Sequence, residues 1–297
     1  MKRLKSFSYF EPATLPEAVG ILTEKGDDAL ILAGGTDLLV RMKREDITPS
    51  ALVNLKRIDG LNRVKKEVGK GTTIGALVPI SDIEDSPVIR SSHPVLTQAA
   101  GVVGSPSIRT LATIGGNIGR ASPASDMAPS LMVLGARVAT EGPFGKRDRD
   151  LDEIFSGPGQ TNLSVGEIMT AFFLPEMAPN SAAAYLKLGR REGMDCALVG
   201  VAALLTVGEK DNRARDARVA LASVGPVPLR ARKAEECLLS GSLTEETLRR
   251  AAIAAAVDAR PITDMRAGRS YRLELVRVLT FRALTKALHR ARGENGR

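Results

Sequence analysis

Apolar and polar positions change period along this chain and divide it into three blocks. In the first, an amphipathic helix is predicted over Leu15 to Lys25, with Thr14 at its N-cap, Glu17 three residues on in capping-box spacing, and Gly26 ending it. An apolar strand Ala29 to Ala33, a glycine turn, a short helix Leu38 to Lys43 and a strand Leu52 to Leu55 then make a β-α-β unit. The second block opens near Lys56-Arg57-Ile58-Asp59-Gly60. Alternating residues at Val64 to Val68 and Thr72 to Ile74 predict hairpin strands, and Ile80 to Ile83 and Val95 to Val103 predict helices. Gly104-Ser105-Pro106 breaks the last of these, and the apolar run Leu111 to Ile114 leads into a second glycine turn. Asn117 to Pro129 follows as a long loop, the alternative being a helix over Met127 to Leu134 capped by the Ser and Asp before it. Glu167 to Leu174 predicts a strand, and Pro175 to Ser181 has linker composition. In the third block, Ala183 to Leu188, Ala197 to Val207 and Ala217 to Val224 predict strands, while Arg232 to Leu239, Leu243 to Val257 and Tyr271 to Arg292 predict helices. The expected organisation is an α+β chain of three units, residues 1–56, 57–176 and 177–297, the last a three-stranded sheet with a helical layer.

Composition narrows the function classes. With 43% hydrophobic and 26% charged residues, the 297-residue chain is ordinary globular protein. Its longest apolar stretches, around Leu30 to Ala33 and Ala197 to Val207, fall short of the roughly 20 residues of a membrane span. Met1-Lys2-Arg3-Leu4-Lys5 is basic, but Ser6-Phe7-Ser8-Tyr9-Phe10 is too short and polar for the apolar core of a secretory signal, so the expected location is cytoplasmic. Cys196 and Cys237 are the two cysteines and cannot hold an iron–sulfur cluster alone, so any cluster belongs to a partner. His93 and His289 fit no zinc spacing, and no metal site is expected. The net charge of +8 is scattered, densest in the Arg-rich C-terminal helices, and aromatics make up 3%. That favours a solvated face or a subunit contact over nucleic acid.

Candidate chemistry gathers at the two double-glycine turns, Ala33-Gly34-Gly35-Thr36-Asp37 and Thr113-Ile114-Gly115-Gly116-Asn117. Without a Cβ, glycine lets the main chain approach a bulky anion and expose consecutive amides, and Thr36 and Asn117 add side-chain donors. The strand, glycine turn, helix order supports a pyrophosphate cradle, although Gly34-Gly35 alone leaves a plain structural turn equally open. Gly119-Arg120-Ala121-Ser122-Pro123-Ala124-Ser125-Asp126 is rich in hydroxyls with one acid, suited either to sugar and phosphate oxygens or to capping a helix. Lys187-Leu188-Gly189-Arg190-Arg191-Glu192-Gly193-Met194-Asp195 is a charged turn, for which solvated surface is the other reading.

Together with Gly104-Ser105-Pro106, Ile108-Arg109 and Ala112 to Ile118, these motifs resemble the FAD subunit of molybdenum hydroxylases, the xanthine dehydrogenase and carbon monoxide dehydrogenase family. The resemblance continues through Tyr9-Phe10-Glu11-Pro12, Gly166-Glu167-Ile168-Met169 and Tyr185-Leu186-Lys187. It implies a two-part, PCMH-like FAD-binding domain, not a Rossmann one, followed by a C-terminal three-stranded antiparallel sheet with helices. FAD is the implied cofactor. Leu32, Ala33, Gly34, Gly35, Thr36, Asp37 and Leu38, with Thr113, Ile114, Gly115, Gly116 and Asn117, would hold its pyrophosphate and adjoining sugar. Ser122, Ser125 and Asp126 would line the adenosine or ribityl side, and Met169, Lys187, Asp195 and Cys196 would approach the isoalloxazine ring. Lys187 would tune the ring, since a nearby cation favours its anionic reduced form. Asp195 would orient the turn, and Cys196 stays open between inert packing and reactivity. No side-chain acid or base is implied as catalytic. The implied partners are a 2Fe-2S small subunit and a molybdenum-cofactor large subunit in a dimer of heterotrimers. Electrons would leave through FAD to NAD, a quinone or another acceptor. A stand-alone FAD-dependent oxidoreductase is the alternative. No cysteine-rich insertion is present, which disfavours the hydroxybenzoyl-CoA reductase type.

Overall fold

The computed structural model describes residues 4–294, so the first three residues of the basic N-terminal segment lie outside it. Its first unit runs β1 (Ser8–Phe10), α1 (Leu15–Lys25), β2 (Ala29–Leu32), α2 (Leu38–Arg44) and β3 (Ala51–Asn54). β3 lies in the middle, parallel to both β1 and β2, and all four of its residues are buried, as a central parallel strand requires. The cap of α1 forms as the sequence predicts: Thr14 Oγ1 accepts from the Glu17 amide at 3.3 Å. The Glu17 carboxylate reaches back one residue further than a standard box, to the Ala13 amide at 2.9 Å. Ala18 and Leu22 of α1 pack on Val53 and Leu55 in a small apolar cluster.

The second unit contains β4 (Val64–Glu67), β5 (Gly71–Gly75), α3 (Ile80–Asp85), α4 (Pro87–Ser92), α5 (Pro94–Gly101), α6 (Pro106–Arg109), α7 (Ile114–Gly119), α8 (Met127–Leu134), β6 (Arg137–Gly142), β7 (Gly145–Asp150), β8 (Phe155–Gly157), β9 (Gln160–Thr161) and β10 (Ile168–Pro175). Five strands form an antiparallel sheet in the order β4-β5-β10-β6-β7. Asn117 to Pro129 is not one long loop, because Asn117 belongs to α7 and Met127 starts α8, leaving residues 120–126 between them. Every residue of α8 is buried, so its apolar run shows no amphipathic period, and only the capping alternative pointed to it. The hairpin β6–β7 is absent from the sequence reading because Gly-Lys-Arg-Asp-Arg-Asp of β7 is an almost wholly exposed edge with no apolar alternation.

At the corner between α4 and α5, His93 is buried with Nε2 2.9 Å from the Pro175 carbonyl at the end of β10, tying the helical layer to the sheet. Burial holds this imidazole below its ordinary value, helped by the charge of Lys66 and opposed by the Pro175 carbonyl. The folded chain therefore takes up that proton less readily than the unfolded one. Stability is full above a pH of about 6.5 and falls as pH drops through that value. Urea midpoints compared above and below this pH should show the fall in the wild type and a smaller one in His93→Gln; equal falls would remove His93 as the cause.

The third unit is β11 (Ser181–Leu188), β12 (Val199–Val207), β13 (Ala214–Ala222), β14 (Leu229–Arg230), α9 (Arg232–Leu239), α10 (Glu245–Asp258) and α11 (Arg269–Ala291). Its antiparallel sheet has four strands and not three: the two-residue β14 adds to β13 at Ala220 and Leu221, too short to show a period. Along β12 the odd residues Val201, Ala203 and Leu205 join the cluster under the C-terminal helices. The even residues Ala202 and Leu204 join Ala183, Tyr185 and Ala220 in the core of the second unit. A period of two thus sends alternate side chains into two cores.

Candidate functional site

The first glycine motif leaves β2 and enters α2 against the segment Leu111-Ala112. A Cβ on Gly34 would overlap the Leu111 carbonyl, and Gly35 adopts φ +73°, so each position excludes a side chain for its own reason. Among the described residues, the amides of Gly34, Gly35, Thr36 and Asp37 donate to no acceptor in the chain. Four consecutive unpartnered amides on a turn are an anion nest.

The second motif is built differently, which corrects the expectation of two equivalent amide cradles. Thr113 caps α7, its Oγ1 accepting from the Gly116 amide at 3.0 Å. The Ile114 amide goes to the Val78 carbonyl, Gly115 to Ala76 at 2.8 Å and Asn117 to the Thr113 carbonyl at 2.9 Å. No amide from Ile114 to Asn117 is left over. Gly115 is glycine because a Cβ would lie 2.6 Å from the Ala76 carbonyl. Gly116 faces Ala33, a Cβ there lying 3.7 Å from that of Ala33, so the two motifs meet. The motif seats α7 beside the first cradle and offers only the Thr113 hydroxyl and the Asn117 side-chain NH2 as donors.

The residues after α7 are also engaged within the chain. Ser125 Oγ donates to Asn117 Oδ1 at 2.6 Å and accepts from the Ala128 amide, and Ser122 Oγ accepts from the Ala124 amide. Met169, on β10, packs its methyl against Gly119. Asp126 is the central group. It is 7% exposed, its Oδ1 accepting from Tyr185 Oη and its Oδ2 from Lys187 Nζ, both at 2.8 Å. Lys187 also donates to the Val102 carbonyl at 3.0 Å, so one of its three N–H donors remains. Burial raises the Asp126 carboxyl above its ordinary range, against the pull of Lys187 and Tyr185. Burial, and then the Asp126 charge, push the Tyr185 phenol well above its usual value.

Tyr185 escaped the sequence reading as a site residue. Its i, i+2 spacing to Lys187 on β11 was the available signal, since a strand places both on one face.

The turn after β11 is held from inside. Asp195 Oδ2 accepts from the Arg190 amide at 2.6 Å and the Arg191 amide at 3.2 Å, and the first of these contacts keeps its carboxyl below the ordinary range. The Met194 amide reaches the Gly104 carbonyl at 3.2 Å, joining this turn to the Gly104-Ser105-Pro106 break. Cys196 is exposed, so it is not core packing. The structure therefore gathers the sequence-predicted residues into a glycine cradle, an acid, amine and phenol cluster, and an ordered turn.

A family model described as the FAD binding domain in molybdopterin dehydrogenase matches residues 5–177. The chain belongs to that family. A second model, the CO dehydrogenase flavoprotein C-terminal domain, matches residues 183–287. The carbon monoxide dehydrogenase medium chain of Hydrogenophaga pseudoflava is 33% identical over 95% of this chain and 96% of its own. A subunit of the 6-hydroxypseudooxynicotine dehydrogenase complex of Paenarthrobacter nicotinovorans is 31% identical over 97% of this chain and 96% of its own. The solved Hydrogenophaga carbon monoxide dehydrogenase superposes with a TM-score of 0.93 at 33% identity, covering 97% of this chain and 99% of that one. Quinoline 2-oxidoreductase from Pseudomonas putida gives 0.89 at 29% identity, covering 99% of both chains. As a member of the molybdopterin dehydrogenase FAD-binding family, this chain is an α+β oxidoreductase subunit whose cofactor is FAD. Among the described residues no helix is long and apolar enough to cross a membrane.

Proposed function

We propose that this chain is the electron exit of a heteromeric molybdenum hydroxylase, with a 2Fe-2S small subunit and a molybdenum-cofactor large subunit as partners in a dimer of heterotrimers. In this reading residues 1–56 and 57–176 are the two parts of the PCMH-like flavin unit and residues 177–297 its C-terminal companion. FAD, when bound, supplies the exchange between single electrons arriving from clusters and the electrons passed to NAD, a quinone or another acceptor.

The observation that supports this reading is the unpartnered amide row from Gly34 to Asp37, in a chain whose residues 5–177 and 183–287 match the two flavoprotein domain models. Those amides hold the diphosphate, whose charge they meet with oriented dipoles. Leu32, Ala33 and Leu38 frame the turn, and Thr113 and Asn117 add side-chain donors beside it. Asp126 fixes the Lys187 ammonium, so that its remaining N–H is presented in one direction. Met169 closes the floor next to Gly119, while Asp195 keeps the turn bearing Cys196 in one shape.

The purified chain is expected to show flavin absorption bands at about 370 and 450 nm, with the pigment released on denaturation running as FAD and not FMN. Co-expression with subunits of the two partner classes is expected to give one larger species on gel filtration. A flavin-bearing chain that never joins them would favour the stand-alone oxidoreductase. A colourless chain that takes up no FAD would remove the cofactor assignment.

A further inference from the structure

Arg120, in the hydroxyl-rich segment that follows α7, ties the two glycine motifs together. Its amide bonds the Gly116 carbonyl at the end of α7, and its side chain turns back so that Nε meets Asp37 Oδ2 at 2.7 Å. That contact clasps the loop after the second glycine motif to the first. Two features maintain it. Ala121, fully buried, adopts φ +48°, a strained value for a residue with a Cβ, and its carbonyl accepts from the Gly159 amide at 2.9 Å. Gly159 in turn has φ +74°, and a Cβ there would stand 2.9 Å from Arg120 Nη1, so the turn between β8 and β9 leaves the guanidinium room.

The charges give the arrangement a use. Asp37 is the only acidic side chain of the four-amide row, and an uncompensated carboxylate there would repel a diphosphate. Arg41, one turn along α2, comes no nearer than 4.0 Å to it. Arg120 neutralises Asp37 through Nε, and among the described residues its two Nη groups have no acceptor. A guanidinium with its fork unspent, beside four unspent amides, fits a phosphate ligand.

Resting on the FAD reading, we propose that Arg120 is a cofactor-binding residue: it cancels the Asp37 charge and gives the diphosphate a charge-assisted contact alongside the amides from Gly34 to Asp37. The test is titration of the flavin-free full chain with FAD, followed by quenching of flavin fluorescence, for the wild type, Arg120→Met and Arg120→Lys. Arg120→Met should weaken binding about tenfold or more, and Arg120→Lys should recover most of that loss because it restores the positive charge. Affinity of the wild type should also fall more steeply than that of Arg120→Met between about 50 and 300 mM salt. Arg120→Met binding within about twofold of the wild type would overturn the proposal, on the scale where tenfold is one decade of Kd. Arg120→Lys as weak as Arg120→Met would reduce the residue to a shape-setting clasp and overturn it too. If Arg120→Met does not fold, Arg120→Gln takes its place as the neutral reference for both the affinity and the salt slope, with the same outcomes deciding. A wild-type chain that binds no FAD fails separately, at the cofactor reading itself.

Discussion

A chain carrying Gly34→Ala should leave purification with little or no flavin and with a clearly lowered thermal midpoint. The added methyl would overlap the Leu111 carbonyl and stand 2.9 Å from the Ala112 Cα, and both obstacles are main chain that no rotamer change can move. Either the 33–37 turn lifts away or the 111–112 segment yields. The second route is expensive, because the Ala112 carbonyl accepts from the Ile80 amide at 2.8 Å and so anchors α3. Overpacking against backbone costs on the order of 3 kcal/mol. Gly20→Ala is the matched control. It sits inside α1 with nothing within 4 Å of the new Cβ, and it should gain up to about 1 kcal/mol from helix propensity. Urea unfolding and the ratio of flavin to protein absorbance would read both variants. Full flavin content in Gly34→Ala would mean that the cradle tolerates the displacement and that the close approach is not what binds.

The second large effect is expected at Asp126. Asp126→Ala removes the acceptor of both Tyr185 Oη and Lys187 Nζ and leaves a largely buried ammonium with one partner, the Val102 carbonyl. Breaking one side of a buried ion pair costs about 3 kcal/mol or more. Lys187→Met, which leaves the buried carboxylate with the Tyr185 hydroxyl as its one partner, should cost a similar amount by the same argument. The double variant removes both charges together and should fall short of the summed losses by more than about 1 kcal/mol, because the two sites share one network. Strict additivity in urea unfolding would show that the two groups do not act as a pair. Both single variants should also lose flavin, since each disturbs the presentation of the remaining lysine N–H.

Much of this was legible beforehand, and the failures have particular causes. Helix α1 was readable to the residue because Thr14, Glu17 and Gly26 mark its ends. The long strands β11, β12 and β13 announced themselves as apolar runs. The short β14 and the exposed hairpin β6–β7 did not, since two residues have no period and a polar edge has no apolar face. Both glycine motifs were visible, but their different jobs were not. Whether an amide is free depends on what lies opposite, and the Val78 and Ala76 carbonyls that consume those of Ile114 and Gly115 are more than thirty positions away. Likewise Lys187 could be singled out from its motif, whereas its pairing with Asp126 arises only when β11 folds back over α8.

That pairing has a consequence for how the molecule comes together. The acid arrives on the segment entering α8, the amine and the phenol on the first strand of the following sheet, and the same sheet sends Ala202 and Leu204 into the earlier core. In the flavin reading, the site is thus finished by a part of the chain synthesised after the glycine turns that begin it. Bound pigment would then act as a seal across the joint, and its retention would report that the late-made sheet has seated on the early-made core.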